Sequence, residues 1–428
     1  MKDQDFSTLV SEDCVHVSRR LFYDDAIFEV EKTKVFGRSW LFLGHESQIA
    51  KLGDYFLTRM ADESVILTRD KKGNINAFLN TCRHRGLKVC RADRGNTSTF
   101  VCPYHGWTYG VDGALRGVPG EKDSFPDGLD KKSFGLVPVA KVENYKGLIF
   151  GNFDENASSL KDDLGPMAWY LDIHLDRSPG GTEVLGVQKW IIDTNWKMPA
   201  ENQIGDVIHG PLSHASVFDM IGGADAPEVA SVVKHGLNVS LPNGHGCLVA
   251  GMNEPERMGG AMDPTLKPLI NGHFADTKEY RVKQLGELRE HLDVATATVF
   301  PTFSLLGRNF TIRVAHPLSG SKTEYWAWVL VDKAAPDAVK QAFKKMYQTT
   351  FGPVGLLESD DGENWSEVTT GAQGSQSVKH DFYYGMGMGC EGPHDELPGQ
   401  VGHTMSEHPQ RGFYKHWRTL MQNGGAKP

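Results

Sequence analysis

The sequence predicts an α+β protein in which a small antiparallel β domain is inserted before a larger domain with an antiparallel sheet flanked by helices. Short strand-like runs and frequent turns dominate residues 38–155. After residue 155, segments of helical composition alternate with runs rich in β-branched and aromatic residues. We therefore predict one domain at 38–155 and a second domain formed by 1–37 and 156–428.

In the first domain, the predicted strands cover 54–60, 64–68 and 75–80, and Lys72-Gly73-Asn74 is typical of a hairpin turn. A second hairpin is predicted at 106–115, with its turn at Val111-Asp112-Gly113. These short elements favour antiparallel pairing, because a parallel pair would need a long crossover between its strands.

In the second domain, helical composition predicts helices at 162–173, 277–292, 336–351 and from 407 onward. Strands are predicted at 298–306, 310–316 and 324–332, and their short connections favour one antiparallel sheet. The glycine-rich run at 385–389 does not fit the dinucleotide-binding fingerprint, and we interpret it as a loop.

Composition and charge argue against several classes of function. The chain has 45 Lys+Arg against 54 Asp+Glu, a net charge of −9, which disfavours nucleic acid or an anionic membrane as a partner. No run approaches 18 apolar residues, and the polar, acidic start is unlike a signal peptide. Six cysteines are too few for a disulfide scaffold, so we expect a cytoplasmic protein whose closely spaced Cys and His bind metal.

Four potential metal ligands lie in the first domain at two tight spacings. Cys82 and His84 belong to one predicted loop, and Cys102 and His105 belong to another. A zinc finger usually pairs cysteines on one knuckle, whereas here each loop supplies one cysteine and one histidine. The pattern favours a [2Fe–2S] cluster with both cysteines on one iron and both histidines on the other. The alternatives are a structural zinc site and unrelated surface histidines.

A second group of candidate ligands lies between residues 195 and 214. If residues 200–209 form a helix, Asp206 and His209 share a face, and Gly210-Pro211 then breaks the helix so that His214 turns back toward His209. Two imidazoles and one carboxylate form the facial triad of mononuclear Fe(II) oxygenases, which leaves coordination positions open for O₂ and substrate. Alone, two histidines at this spacing are more often core or surface residues; the neighbouring cluster-type motif favours a metal site.

The C-x-H-x17-C-x2-H pattern and the Gly-Trp after it resemble the Rieske domain of ring-hydroxylating non-haem iron oxygenases, in their large catalytic α subunit. The run Asn195-Trp196-Lys197, with Glu-Asn-x-x-Gly-Asp-x-x-His at 201–209, resembles the mononuclear-iron motif of the same family. The similarity runs over nearly the whole chain, including residues 44–47 and 80–86. It favours the biphenyl, cumate and naphthalene dioxygenase type.

The resemblance implies that His209, His214 and Asp361 bind the mononuclear iron, although spacing alone does not separate Asp361 from Asp360. It implies that Asp206 is a bridging carboxylate between His105 of one subunit and His209 of the next. Asn202 lies one helical turn before Asp206 and is expected near the iron, with a helix-surface amide as the alternative. Asp360 and Glu358 are expected to be solvated helix charges.

Correspondence with the family places six side chains around the substrate cavity: Gln203, Phe218, Thr296, Thr298, Phe351 and Leu357. None of them is charged, which favours a neutral arene, because an aromatic acid would require a buried Arg or Lys.

The resemblance also implies one [2Fe–2S] cluster and one mononuclear Fe(II) per subunit, with no flavin or NAD bound by this chain. The implied reaction adds both atoms of O₂ to a mono- or polycyclic arene as a cis-dihydrodiol. Electrons would come from NAD(P)H through a reductase and a ferredoxin, and a small β subunit would complete an α3β3 assembly, otherwise α3. The alternatives are a Rieske monooxygenase or demethylase, a dioxygenase of aromatic acids, a pure electron carrier and a structural zinc protein.

Overall fold

The computed structural model describes residues 6–221, 234–250 and 265–422. The chain forms two compact units, Phe36–Leu160 and a second unit made of the residues up to Val35 together with those from Lys161 onward. The domain limits expected from the sequence, 38 and 155, fall two and five residues inside the first of these units. No helix among the described residues is long and apolar enough to cross a membrane.

Three antiparallel sheets form the Phe36–Leu160 unit. The four-stranded sheet has the order Ile75–Leu79, Glu63–Arg69, Asp54–Met60, Arg94–Asn96. The two three-stranded sheets have the orders Thr99–Val101, Thr108–Gly110, Leu115–Gly117 and Lys141–Tyr145, Leu148–Asn152, Leu41–His45. Its α-helix is Glu121–Ser124, and single 3-10 turns cover Glu46–Ile49 and Lys131–Phe134.

The predicted hairpin turn at 72–74 is present and has a local cause. Asp70 Oδ1 accepts hydrogen bonds from the backbone N–H groups of Lys72 and Asn74 at 2.8 and 2.9 Å. Gly73 adopts a φ of +90°, which a residue with a Cβ rarely takes. The side chain of Asp70 therefore closes the turn that sets the register of the two strands.

One nine-stranded antiparallel sheet organises the larger unit. Its order is Thr182–Ile192, Lys322–Asp332, Thr311–Ser319, Phe303–Leu306, Asp293–Val299, Gly246–Ala250, Leu237–Ser240, Gln400–His403, Gly392–Pro393. The Lys322–Asp332 strand is buried along almost its whole length, and the Asp337–Thr350 helix packs against it. A two-stranded ribbon, His16–Val17 with Phe382–Tyr383, belongs to the same unit.

Helices flank this sheet. They are Asp25–Glu31, Met167–Leu175, Lys197–Gln203, Gly210–Ser213, Ala215–Ile221, Lys267–Asp276, Lys278–His291, Asp337–Thr350, Leu356–Ala372 and His408–Gln422. Three of the predicted helices, at 277–292, 336–351 and from 407 onward, are present with small changes in their ends. The Leu356–Ala372 helix and the Thr182–Ile192 strand were not among the predicted elements.

Two predicted elements are each divided in the structure. The helix expected at 162–173 is replaced by Leu160–Leu164 and Met167–Leu175, because Gly165 takes a φ of +47° and Pro166 lacks the N–H that a continuous helix needs. The strand expected at 298–306 is two strands, Asp293–Val299 and Phe303–Leu306, which pair antiparallel across the connecting turn.

The N-terminal residues fold with the larger unit through a buried ion pair. Lys197 Nζ lies 2.5 Å from Glu31 Oε1, and both side chains are fully buried. Glu31 also accepts hydrogen bonds from the indole N–H groups of Trp196 and Trp417, at 2.9 and 2.7 Å. This network fixes the start of the Lys197–Gln203 helix, which leads into the candidate site.

Candidate metal centres and active site

The two loops that carry the first group of candidate ligands have the same backbone geometry. In the first loop, the N–H of Cys82 donates to the carbonyl of Leu87 at 2.9 Å, and the N–H of Gly86 donates back to Cys82 at 2.9 Å. The loop Cys102–Trp107 repeats both hydrogen bonds at 2.8 and 3.0 Å. The glycine of each loop has a positive φ, +75° and +71°, which allows this tight closure.

Thiols and imidazoles point in different directions from these loops. Cys82 and Cys102 are buried and belong to the hydrophobic cluster of the unit. His84 is exposed and His105 is half-buried, and the centroids of their rings lie 4.6 Å apart. The arrangement offers two sulfur donors inside the protein and two nitrogen donors at its surface.

Aromatic side chains support both pairs. The ring of His84 stacks on Trp107 with centroids 5.2 Å apart, and His105 stacks on Tyr104 at 3.7 Å. The hydroxyl of Tyr109 accepts the N–H of Arg83 at 3.0 Å and lies 3.3 Å from Cys82 Sγ. Because that oxygen already accepts a hydrogen bond, its own proton is available to the sulfur.

The four donors of the two loops differ from a compact set of ligands for a single metal ion. Within the described part of the chain, the only set of three or more Cys, His, Asp or Glu whose ligand atoms all lie within 4.8 Å of one another is His209, His214 and Asp361. Cys82, His84, Cys102 and His105 do not form such a group. Two sulfur and two nitrogen donors on paired loops fit a binuclear iron–sulfur cluster instead.

The local fold around His209 differs from the prediction. The helix ends at Gln203 and residues 204–209 are not helical, so the helix expected at 200–209 is wrong. A Cβ at Gly205 would lie 2.7 Å from Asn238 Oδ1, which explains why the chain needs glycine where it leaves the helix. Pro211 does not break a helix; it lies in the first turn of a new one, Gly210–Ser213, where a missing N–H costs nothing.

This short helix brings the two imidazoles together. His209 precedes its first residue and His214 follows its last, and their ring centroids lie 5.4 Å apart. The Nε2 atoms of both rings lie 3.3 Å from Asp361 Oδ1. That oxygen is buried and makes no hydrogen bond to the described residues. Two imidazole nitrogens and an unsatisfied carboxylate oxygen facing one point fit a divalent metal ion.

The other nitrogen of each imidazole faces a second carboxylate. His214 Nδ1 donates to Asp360 Oδ2 at 3.0 Å, and His209 Nδ1 lies 3.5 Å from Asp206 Oδ2. The hydrogen bond to Asp360 holds the proton of His214 on Nδ1 and leaves its Nε2 free for a metal, whereas His209 Nδ1 makes no hydrogen bond to the described residues.

The electrostatics of the site favour positive charge. Burial alone would disfavour the charged imidazole of His209, but the carboxylates of Asp206 and Asp361 raise its pKa to about 10. Burial likewise opposes ionisation of Asp361, yet the two imidazoles lower its pKa to about 2. The same negative field would stabilise a metal cation between these side chains.

Two residues that were expected to be solvated charges have defined partners, so that expectation is wrong. Asp360 holds His214, and Glu358 is buried against Arg313 with 2.6 Å between Oε2 and Nη2. The physical reason is helical spacing: Glu358 lies three residues before Asp361 and shares its buried face. Recognising the 356–372 segment as a helix with one buried face would have found this role.

Asn202 and Asp206 lie together beside His209. Asn202 Oδ1 accepts the indole N–H of Trp365 at 3.0 Å, and the N–H of Asp206 donates to the carbonyl of Asn202 at 3.1 Å. Asn202, Asp206 and His209 line a cavity of about 520 Å³. The amide of Asn202 is therefore part of a cavity wall instead of an open helix surface.

A residue of the motif that was assigned no role, Glu201, is buried beside this group. The hydroxyls of Tyr384 and Tyr414 both donate to its carboxylate, the former at 2.9 Å to Oε2. Burial raises the pKa of Glu201 to about 8, although both hydroxyls act in the opposite direction. No sequence signal separates this buried carboxylate from a surface one.

The predicted substrate residues have different surroundings. Gln203 Oε1 and Thr296 Oγ1 are buried and make no hydrogen bond to the described residues. The hydroxyl of Thr298 instead donates to the carbonyl of Ala200 at 2.8 Å and joins the helix to the sheet.

The apolar members of that group pack together. Phe351 and Leu357 belong to one hydrophobic cluster of the larger unit. The side chain of Phe218 lies outside the described residues.

Each of the two units matches a known protein family. A Rieske [2Fe-2S] domain matches residues 39–143, and a ring hydroxylating alpha subunit (catalytic domain) matches residues 165–423. The chain is 38% identical to biphenyl 2,3-dioxygenase subunit alpha of Rhodococcus jostii, over 98% of this chain and 92% of that protein. It is 39% identical to benzene 1,2-dioxygenase subunit alpha of Pseudomonas putida, over 98% and 94%.

The fold agrees with a solved structure of naphthalene 1,2-dioxygenase with indole bound in the active site. The TM-score is 0.90 at 34% identity, over 97% of this chain and 94% of that chain. The fold class and the resemblance predicted from the sequence are confirmed. The chain belongs to the family of ring-hydroxylating dioxygenase α subunits, with a Rieske [2Fe–2S] domain followed by the catalytic domain of that family.

Proposed function

We propose that this α subunit adds both atoms of O₂ to a neutral mono- or polycyclic arene and releases a cis-dihydrodiol. The observation that carries the proposal is the unsatisfied, buried Asp361 Oδ1, which faces the Nε2 atoms of His209 and His214 at 3.3 Å. These three residues are the proposed ligands of a mononuclear iron. When bound, that iron supplies the coordination positions and the reducing power that oxygen activation needs.

Cys82, His84, Cys102 and His105 are the proposed ligands of the [2Fe–2S] cluster. Two imidazoles in place of two thiolates reduce the negative charge around the cluster and raise its potential. The exposure of His84 and the partial exposure of His105 give an external electron donor access to the nitrogen end. Electrons would arrive from NAD(P)H through a reductase and a ferredoxin.

Asp206 is proposed to join the two metal sites of neighbouring subunits. One of its carboxylate oxygens lies 3.5 Å from His209 Nδ1, and its side chain is 40% exposed, so the carboxylate can also accept a hydrogen bond from His105 of another subunit. A carboxylate between two imidazoles orients both rings and responds to proton movement when an electron arrives. Asn202 holds the backbone at Asp206 and completes the cavity wall.

The names of the relatives and the uncharged predicted pocket support the proposed substrate class. Proteins named for biphenyl and benzene dioxygenation are 38% and 39% identical to this chain. The proposed substrate residues carry no charge, which favours a neutral arene over an aromatic acid. We propose an α3β3 assembly with a small β subunit.

Isotope labelling tests this function. The chain is expressed with a β subunit, ferredoxin and reductase of a biphenyl dioxygenase system, and is supplied with ¹⁸O₂ and biphenyl, naphthalene, benzene or benzoate. We expect two labelled oxygens in a dihydrodiol from at least one neutral arene. One labelled oxygen per product would assign a monooxygenase, and product from benzoate alone would overturn the neutral-arene class. The His214→Ala chain serves as the inactive control.

A further inference from the structure

Arg313 lies near the proposed iron site and contacts two acceptors there. It is fully buried in the Thr311–Ser319 strand. Its Nη2 atom donates to Glu358 Oε2 at 2.6 Å and to the backbone carbonyl of Phe351 at 3.2 Å. Its Nε and Nη1 atoms make no hydrogen bond to the described residues, so its polar contacts run through one nitrogen.

The two acceptors belong to two different parts of the proposed site. Glu358 lies three residues before Asp361 in the Leu356–Ala372 helix, so its position sets the face from which the Asp361 carboxylate projects. Phe351 is a proposed wall of the substrate cavity, and the guanidinium also lies 4.9 Å from the centroid of its ring. The guanidinium of Arg313 thus connects the strand to Asp361, through Glu358, and to Phe351.

From this geometry we infer that Arg313, with Glu358, is a positioning residue that sets the distance between the bound arene and the mononuclear iron. The inference rests on the proposed function and deepens it by naming a determinant of which ring bond is oxidised. Arg313 does not touch the reacting atoms in this view; it acts through Asp361 and Phe351.

The planar shape of arginine is essential to this role. A guanidinium can donate to the Glu358 carboxylate and the Phe351 carbonyl while it stacks on an aromatic ring. Lysine keeps the charge but has no planar group, so it cannot reproduce all three contacts. Arg313→Lys should therefore keep the charge balance of the core and lose the joint alignment.

The chain contains a matched control. Arg177 is equally buried, lies 2.5 Å from Asp332, donates to the Leu330 carbonyl at 3.1 Å and lies 4.1 Å from the centroid of Phe310. None of these partners is a proposed ligand or substrate contact. Arg177→Lys thus repeats the same chemical change in a buried ion pair of the same unit.

The test compares Arg313→Lys with Arg177→Lys in the assembled oxygenase. The readouts are the Fe(II) concentration needed to refill the chelated mononuclear site, the visible spectrum of the cluster, the melting temperature and the ratio of dihydrodiol isomers from biphenyl. For Arg313→Lys we expect Fe(II) affinity about tenfold or more below that of the wild type, a changed isomer ratio and an unchanged cluster spectrum. Arg177→Lys should lower the melting temperature while Fe(II) affinity and isomer ratio stay at wild-type values.

Wild-type affinity and isomer ratio in Arg313→Lys would overturn the inference, and so would equal changes in the two variants. If Arg313→Lys does not fold, Glu358→Gln replaces it, because the amide keeps the shape and an acceptor oxygen and removes the charge. If the wild-type chain forms no dihydrodiol from biphenyl, naphthalene or benzene, that result counts against the proposed function, and the Fe(II) affinities of the two variants then decide the inference.

Discussion

The two groups of candidate metal ligands differ in how their members are brought together. The four residues of the cluster loops lie within 82–105, and each loop is closed by its own backbone hydrogen bonds. The proposed iron ligands are spread over 209–361 and meet only when the Leu356–Ala372 helix packs beside the short Gly210–Ser213 helix. Ligands held by local turns can therefore be predicted from their spacing in the sequence, whereas ligands brought together by packing cannot.

Their surroundings differ as well. The imidazole of His84 is exposed, and its support is an aromatic ring, Trp107. At the other site, His214 is buried and its Nδ1 atom is held by the carboxylate of Asp360. An exposed imidazole suits the exchange of electrons with another protein, and a buried one suits a reaction that excludes water.

The strongest test of this comparison removes one ligand from each site. His214→Ala should abolish turnover and remove the mononuclear iron while the cluster spectrum remains, because the two groups of ligands share no residue. Cys102→Ser should abolish turnover by loss of the cluster. Iron analysis together with visible absorption measures both. Loss of the cluster spectrum in His214→Ala would show that the sites do not form independently.

Asp206→Ala should leave both metals in place and still abolish turnover, since the proposed role of Asp206 is to connect the sites. Metal content, the cluster spectrum and product formation are compared with those of the wild type. Loss of the cluster spectrum in this variant would contradict a bridging role, and so would turnover near the wild-type rate.

A smaller effect is expected when a supporting carboxylate is changed. Asp360→Asn should weaken Fe(II) binding by about tenfold, because the neutral amide holds His214 less firmly and lowers the basicity of its ring. Glu363→Gln is the control, since Glu363 is an exposed acid on the same helix. Chelator competition gives both affinities; equal values in the two variants would assign Asp360 to the solvated surface.

The smallest effect concerns stability and pH. Burial raises the pKa of Glu201 from 4.5 to about 8, so the native state keeps a proton that the unfolded chain loses in this range of pH. The contribution of Glu201 to the free energy of unfolding therefore falls as the pH rises from about 4.5 to 8. Glu201→Gln removes this dependence, so its melting temperature should rise relative to that of the wild type between pH 5 and pH 8. A difference that is constant across this range would contradict the prediction.

The tight spacing of Cys82, His84, Cys102 and His105 predicts two short loops, which the structure contains, and the role of these residues as cluster ligands stays a prediction. The sequence also predicts the sheet-and-helix class, since Lys278–His291 and Asp337–Thr350 carry clear helical composition. It fails where one glycine or proline decides the path of the chain. The helix expected at 200–209 ends at Gln203, and Pro211 starts a helix that it was expected to break.

The sequence also fails to predict which charged side chains are buried. Glu358 and Glu201 look like surface acids in the sequence, but each is buried against partners that lie far away along the chain, Arg313 for the first and Tyr414 for the second. Their burial depends on tertiary packing, and helical propensity carries no information about it. The choice of Asp361 over Asp360 likewise needs the geometry, because only the former faces both Nε2 atoms.

The paired hydrogen bonds of the cluster loops also bear on how the protein matures. Contacts between residues close in sequence form early, because little chain entropy is lost in closing a short loop, whereas contacts across some 150 residues must wait. We therefore expect the loops around Cys82 and Cys102 to take shape early, and His214 and Asp361 to meet later, because about 150 residues separate them. We expect a newly made chain to acquire its inorganic sulfide before its last iron atom.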